Sequence, residues 1–292
     1  MGLKPSTPNQ GTHFIKVSMK ITLLIIVLSI FTYAQERIVT LSPAINEIIY
    51  ALGSGTEIVG NTQYCTYPKA SQSVTKVGGY FSPSLEKILS LKPTIVIMQQ
   101  NNKKLALRLD KLGIQTKIIQ IDRLPHIRKA ILTLGELLHK EIKAKSIVSE
   151  IDKALANIKD IVKDKKILIV IGHNISLVKQ IFVVGQNLYL DDIINTSGNT
   201  NALQSNRKGQ PILNQENIIA TDPDIVILLA HSMQQKGLSP SDLIKPWEEL
   251  PISAGKSGDI YIIDKEYSGI PSDRLVLFLH DFKEILYATK NR

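Results

Sequence analysis

Only one cysteine, Cys65, stands in 292 residues, so no disulfide can form within the chain and its stability must come from a packed core. The common catalytic fingerprints are missing as well. No Gly-x-Ser-x-Gly elbow, Walker loop, Gly-x-Gly-x-x-Gly turn or His-Glu-x-x-His helix occurs, which removes the best-marked hydrolase, nucleotide-binding and zinc-protease readings. The apolar run nearest the N-terminus, Ile21–Phe31, is eleven residues long, whereas a membrane-spanning helix needs about 20. The net charge of +9 is mild for the length. Lys140, Lys143, Lys145, Lys153 and Lys159 are spread through amphipathic stretches and do not cluster with aromatics, which describes a solvated helix face and not a nucleic-acid surface. An anionic ligand stays compatible with this balance.

Around that eleven-residue run the elements of a secretory signal fall in order. Met19-Lys20 supplies a positive charge, Ile21–Phe31 the apolar region, and Thr32-Tyr33-Ala34 the small residues of a cleavage site before Gln35. Met1–Ser18 is polar and unpatterned, so Met19 is the expected natural start. Cleavage near Ala34 removes Lys4, Lys16 and Lys20 and no acid, lowering the net charge to +6. No cysteine at the cleavage point offers a lipid acceptor there. The product that begins at Gln35 is long enough for one large domain or two smaller lobes.

From Gln35 on, short β-branched runs alternate with helical stretches. Arg37–Leu41, Ile58–Gly60, Thr94–Met98 and Lys117–Ile121 read as buried strands, with helices over Asn46–Leu52, Leu85–Leu91 and Leu105–Leu112. The rhythm breaks between His126 and Lys163. Ala144, Ile147, Ile151, Leu155, Ile158 and Val162 recur three or four residues apart, and neither Gly nor Pro occurs from Glu136 to Lys166. That spacing predicts one long amphipathic helix. Strands resume at Lys166–Ile171, Ile225–Leu229 and Ile260–Ile263, with helices over Leu188–Ile194 and Arg274–Tyr287. The expected organisation is an α/β lobe over 35–125, a linking helix region over 126–165, and a second α/β lobe over 166–292. Leu91-Lys-Pro-Thr-Ile-Val-Ile97 and Thr221-Asp-Pro-Asp-Ile-Val-Ile227 echo one another in matching places of the two halves.

Several ordered phrases carry a resemblance. Arg37-Ile-Val-Thr-Leu-Ser-Pro-Ala-Ile-Asn-Glu-Ile-Ile-Tyr-Ala-Leu-Gly53, Tyr64-Cys-Thr-Tyr-Pro68, Val77-Gly-Gly-Tyr-Phe-Ser-Pro-Ser-Leu-Glu-Lys-Ile88 and Leu91–Ile97 resemble the periplasmic binding proteins for cobalamin, iron-siderophores and haem. The resemblance spans nearly the whole exported chain. It implies two Rossmann-like lobes with parallel-rich sheets, joined by one long rigid helix, with a ligand cleft between them. It also implies a periplasmic protein that captures an iron chelate, haem or corrinoid and delivers it to an inner-membrane ABC permease with its ATPase; a monomer is the default expectation. No cofactor is implied, since the chelate is cargo.

Ligands of open α/β sheets sit beyond the carboxyl ends of the strands, so residues just after each strand are the candidates. In the first lobe these are Ser42 and Pro43, which equally suit helix initiation, and Tyr64, Tyr80 and, less strongly, Phe81. A tyrosine offers a flat face to a corrin or porphyrin and a phenol oxygen to ferric iron. Cys65 is a soft donor, though a lone cysteine is more often simply buried. In the second lobe His173, Asn174 and His231 follow strands, and Tyr267 and Arg274 precede the last helix. Tyr64 and His173 become metal ligands only if the cargo is haem or a bare iron chelate. Arg274 suits either a ligand carboxylate or an ion pair with Asp273 or Asp264. The cobalamin relatives carry neighbouring large aromatics where this chain has Tyr267-Ser268, which tilts the reading towards iron. Docking to the permease, as the resemblance implies it, uses an acid on each lobe. Glu248 and Glu249 fit the second lobe, while Asn101-Asn-Lys-Lys104 in the first has no acid, and an acid elsewhere such as Glu86 could substitute. Two other functions stand beside this one: a chelatase-like enzyme acting on a tetrapyrrole, and a haem scavenger with no permease.

Overall fold

The β-branched runs become strands and the amphipathic stretches become helices in the computed structural model, which describes residues 1–2, 36–178, 180–205 and 209–292. The chain divides into two units, Met1–Glu36 and Arg37–Arg292. The predicted export signal lies outside the described residues.

Two lobes make up Arg37–Arg292. The first runs β1 (Ile38–Thr40), α1 (Pro43–Ala51), β2 (Ile58–Asn61), α2 (Leu85–Ser90), β3 (Ile95–Met98), α3 (Lys103–Lys111) and β4 (Gln115–Ile118). Its strands pair in parallel in the order β2-β1-β3-β4. Pro43 opens α1 at a position where a missing N–H costs nothing, and Gly53 takes φ 89 just beyond its end. Two helices follow, α4 (Leu124–Leu137) and α5 (Glu141–Asn157). The second lobe comprises β5 (Lys166–Ile171), β6 (Ile181–Val183), α6 (Tyr189–Thr196), β7 (Thr200–Asn201), β8 (Ile212–Leu213), α7 (Gln215–Thr221), β9 (Ile225–Leu229), α8 (Pro240–Glu248), α9 (Ser253–Ser257), β10 (Ile260–Ile263) and α10 (Leu275–Lys290). Its sheet runs β10-β9-β5-β6-β8, with β7 also pairing β5. Here β6 lies antiparallel to both neighbours, so this sheet is mixed, which the sequence pattern did not reveal.

The single linking helix expected over 126–163 is two helices. His139 takes φ 55 between them, and the amide of Lys140 donates to the Gly135 carbonyl, closing α4. The lack of Gly and Pro did not protect the helix, because a non-glycine residue can occupy the left-handed region for one position. The periodicity itself holds within α5, whose Ala144, Ile147, Ile151 and Leu155 are buried. Gly135 permits the turn, since a Cβ built there would lie 2.4 Å from that of Ala144.

One apolar cluster crosses the whole unit. It takes Ile45, Ile48 and Ile49 from α1, Ile127, Ile131 and Leu134 from α4, Ile147 and Ile151 from α5, Ile193 from α6, and Phe278, Phe282 and Leu286 from α10. Separate clusters cover the far faces of the two sheets. The lobes therefore share a helical layer.

Gly135→Ala tests the turn. Helix propensity alone favours alanine by about 1 kcal/mol, whereas overpacking against Ala144 costs about 1–3 kcal/mol. Urea denaturation should find the variant less stable than the parent, and a more stable variant would mean that α4 and α5 separate freely at this point.

Candidate functional site

The carboxyl ends of both sheets open onto one cavity of about 690 Å³ between the lobes. Pro43 follows β1, Gln63, Tyr64 and Thr66 follow β2, Gln99 follows β3, and Ile121 and Asp122 follow β4. From the other lobe come Ile171 at the end of β5, Leu229 and His231 at and after β9, Leu188–Leu190 at the start of α6, and Glu266 with Ser268–Pro271 after β10. A second chamber of about 470 Å³ shares Pro43, Tyr64, Gln99 and Gly269–Pro271 with the first and is walled by Tyr80 and Phe81. Together they form a cleft whose size suits a small-molecule ligand.

Aromatic faces are presented at its rim. Tyr64 is 62% exposed and Phe81 82%, and the Tyr80 and Phe81 rings meet edge to face with centroids 4.7 Å apart. Asn102 donates to the Tyr80 carbonyl at 3.2 Å, fixing that loop to the start of α3. Ser42 is buried and accepts from the Gln99 amide at 2.6 Å. Its hydroxyl makes no cap bond to α1, so Ser42 orients Gln99, which lines both chambers.

The loop bearing Tyr64 is held from beneath by a buried polar network. Its carbonyls at Cys65, Thr66 and Tyr67 accept in turn from Ser71 Oγ (3.0 Å), Gln72 Nε2 (3.0 Å) and Asn46 Nδ2 (3.0 Å). Lys76 Nζ donates to Asn61 Oδ1 at 2.7 Å, the Ser71 carbonyl at 3.0 Å and the Cys65 carbonyl at 3.1 Å. Burial lowers the pKa of this ammonium from its ordinary value. Cys65 is buried, its sulfur 3.3 Å from Thr62 Oγ1, and burial pushes its thiol pKa up. That enclosed thiol belongs to the loop's packing, and Cys65 is absent from the lining of either chamber.

In the second lobe the structure separates residues that the sequence grouped. His231 lines the cavity, and the next residue, Ser232, takes φ 64 with its hydroxyl 2.9 Å from His231 Nε2. His173 and Asn174 are absent from the cavity lining. The chain turns at Gly172 with φ 109, and His173 Nδ1 lies 3.0 Å from Lys236 Nζ. Tyr267 is likewise absent from that lining and borders an adjoining cavity with His231 and Glu266. Its phenol donates to Asp281 of α10 at 2.7 Å, and its pKa is pushed up to about 12 by burial and by that carboxylate.

Arg274 takes the ion-pair alternative, with other partners than those expected. It is 6% exposed and grips Glu47 of the first lobe with Nε and Nη2, at 3.0 and 2.5 Å, while Nη1 meets Glu266 at 2.6 Å. All three guanidinium nitrogens are engaged by carboxylates, and the side chain borders a separate cavity of about 460 Å³ that also includes His231, Glu266 and Tyr267. The expected partners Asp273 and Asp264 are not the ones it uses. Another bridge joins the lobes near Asp122, where Arg123 pairs with both carboxylate oxygens of Asp192 on α6.

Gln63, Gln99, Asp122, Tyr189 and Ile270 were missed, although Gln99 follows its strand as directly as Ser42 follows β1. Among the described residues no lysine or arginine lines either chamber, and no group of three His, Cys, Asp or Glu side chains converges to hold a bare metal ion. Glu248, Glu249 and Glu86 are exposed, with Trp247 fully buried beside the first two.

A model of the periplasmic binding protein family matches residues 38–267. The chain belongs to that family. It is 27% identical over 261 residues to an ABC transporter substrate-binding lipoprotein of Bacillus subtilis (strain 168), covering 86% of this chain and 80% of the relative. It is 24% identical over 269 residues to the vitamin B12-binding protein of Vibrio vulnificus (strain CMCP6), covering 90% and 94%. The periplasmic heme-binding protein of Roseiflexus sp. RS-1 has a similar fold, with a TM-score of 0.71 at 24% identity over 88% of this chain and all of that one. Among the described residues no helix is long and apolar enough to cross a membrane.

Asp273 gives this region a pH signature. Its Oδ1 is buried without a hydrogen-bond partner, and burial, then the charge of Glu47, pushes its pKa up to about 6. A carboxyl with a raised folded-state pKa binds protons more tightly when native. The stabilisation is complete below about pH 4, the ordinary carboxyl range, and is lost as pH rises through 6. Thermal melts across this window should show that rise on acidification in the parent and its loss in Asp273→Asn. Superimposable profiles would count against an ionisable, buried Asp273.

Proposed function

We propose that this chain is the solute-binding component of an ABC importer, exported to the periplasm, and that its cargo is a large, flat metal chelate. One observation carries the reading: Tyr64 from the first lobe and His231 from the second line the same interlobe cavity, bordered by exposed aromatic faces. A chelate brings most of its metal's ligands with it, so one or two protein donors suffice, and tyrosine and histidine both serve haem iron. Burying a planar ring system between Tyr64, Tyr80, Phe81 and Ile270 would supply most of the binding energy. The reaction is capture and delivery without bond chemistry, by a monomer, with Glu248 and Glu249 and an acid on the first lobe such as Glu86 meeting the permease.

Haem is the leading cargo on the strength of the Tyr64–His231 pair, with other iron chelates beside it. A corrinoid is the second reading. It is favoured by the amides of Gln63, Gln99 and Gln210 and by the lack of lysine or arginine among the described lining residues, since such walls suit a ligand edged with amides better than one edged with carboxylates.

Visible absorption titrations with haemin, cyanocobalamin and a ferric catecholate separate the readings. Haemin should give a saturable spectral shift, Tyr64→Phe or His231→Ala should change the bound spectrum, and Tyr80→Ala should weaken binding about ten-fold, near 1.4 kcal/mol. A response to cyanocobalamin alone would move the cargo to corrinoids, with Tyr80 as the stacking surface. No response to any of the three would overturn the chelate assignment.

A further inference from the structure

Glu47 and Arg274 lie 227 positions apart, on α1 of the first lobe and at the foot of α10 in the second. Glu47 is 2% exposed and Arg274 6%. Besides the two-pronged contact, Ser272 Oγ donates to Glu47 Oε2 at 2.6 Å. The guanidinium carbon sits 3.7 Å above the ring of Tyr67, three residues beyond Tyr64 in the same loop. Glu266, the outer partner of Arg274, lines the cavity itself.

We infer that the Glu47–Arg274 pair, with Tyr67 stacked upon it, positions the binding cleft: it fixes the spacing of the lobes and the orientation of the loop that presents Tyr64. The inference rests on the cleft being the ligand site. Buried ion pairs add little net stability over apolar residues of similar size, because desolvating both charges offsets their attraction. What such a pair does impose is geometry, since a two-pronged contact between guanidinium and carboxylate tolerates little displacement or rotation. Here that geometry joins the two lobes. Through Tyr67 it also reaches the loop whose carbonyls the first lobe holds with Lys76, Ser71, Gln72 and Asn46. Tyr64 is thus presented by a loop seated on the first lobe and capped by the second.

Removing Arg274 alone strands a buried carboxylate and confuses folding with positioning. The test is therefore Glu47→Met/Arg274→Met in the full chain, which strands neither member of the buried pair and leaves only Glu266, 41% exposed and open to water, without its partner. Three readouts are taken: thermal melting, haemin and cyanocobalamin titration, and the distance distribution between spin labels at Lys104→Cys and Lys245→Cys, exposed sites on the two lobes. The double variant should melt cooperatively, bind at least ten-fold more weakly than the parent, and show a broader distance distribution. Tyr67→Leu, which keeps the ion pair, should weaken binding while leaving the distances unchanged. If the double variant does not fold, Arg274→Lys replaces it, keeping the charge but losing the fork and the stack, with the same losses expected. Parental affinity in a folded variant, or an unbroadened distance distribution, would overturn the inference. A parent that binds neither chelate would sink the cargo assignment instead, and the distance measurement would still decide whether the pair spaces the lobes.

Discussion

The helical layer shared by the two lobes is the constraint on which the rest of this structure depends. Helices α1, α4, α5 and α10 all bury apolar faces in one cluster, so the sheets are set against a common core. Separating the lobes would expose part of that surface, at about 25 cal/mol for each Å² of apolar area. The cleft is consequently a groove in a stiff body, and its walls are the loops that leave the carboxyl ends of strands already fixed in place.

Against that apolar background one set of buried polar groups gathers beside the cleft. Asn46, Glu47, Asn61, Ser71 and Arg274 are all buried, and all of them lie beneath or beside the Tyr64–Pro68 loop. A buried polar atom costs free energy unless it is paired, and a fully paired network permits few alternative arrangements. The molecule thus combines two kinds of interaction. Non-directional burial holds the lobes together, while directional hydrogen bonds set the orientation of one loop at the cleft.

This division also explains what could be read from the sequence. Strands such as Ile95–Met98 and Ile225–Leu229 announce themselves through unbroken β-branched runs, and the helices between them through their spacing. The two-lobed α/β architecture was therefore legible, and so were Ser42, Pro43, Tyr64, Tyr80, Phe81 and His231 as residues lining the interlobe cavities. Directional contacts between distant segments leave no local trace. Nothing near Arg274 points to Glu47, so a cation before the last helix reads equally well as a ligand clamp. His173 occupies a strand end as properly as His231 does, and only the turn at Gly172 takes it to Lys236. The break at His139 was hidden because its determinant is the approach of Ala144 to Gly135, a contact between two helices that the pattern had merged into one.

A stiff, pre-formed cleft has a consequence for delivery. If the lobes opened freely, cargo could leave by thermal motion and the permease would need only to wait. With the lobes tied by a common core, by Glu47–Arg274 and by Arg123–Asp192, spontaneous opening is opposed. Tight retention and prompt release then conflict unless the partner contributes work. On the proposed reading that work enters through surface acids on each lobe, Glu248 and Glu249 on one and an acid such as Glu86 on the other, because a partner held at two points can strain the angle between them. A displacement of the lobes would disturb the stack of Arg274 on Tyr67 and with it the seat of Tyr64, so that a small movement imposed at the surface would be felt at the ligand.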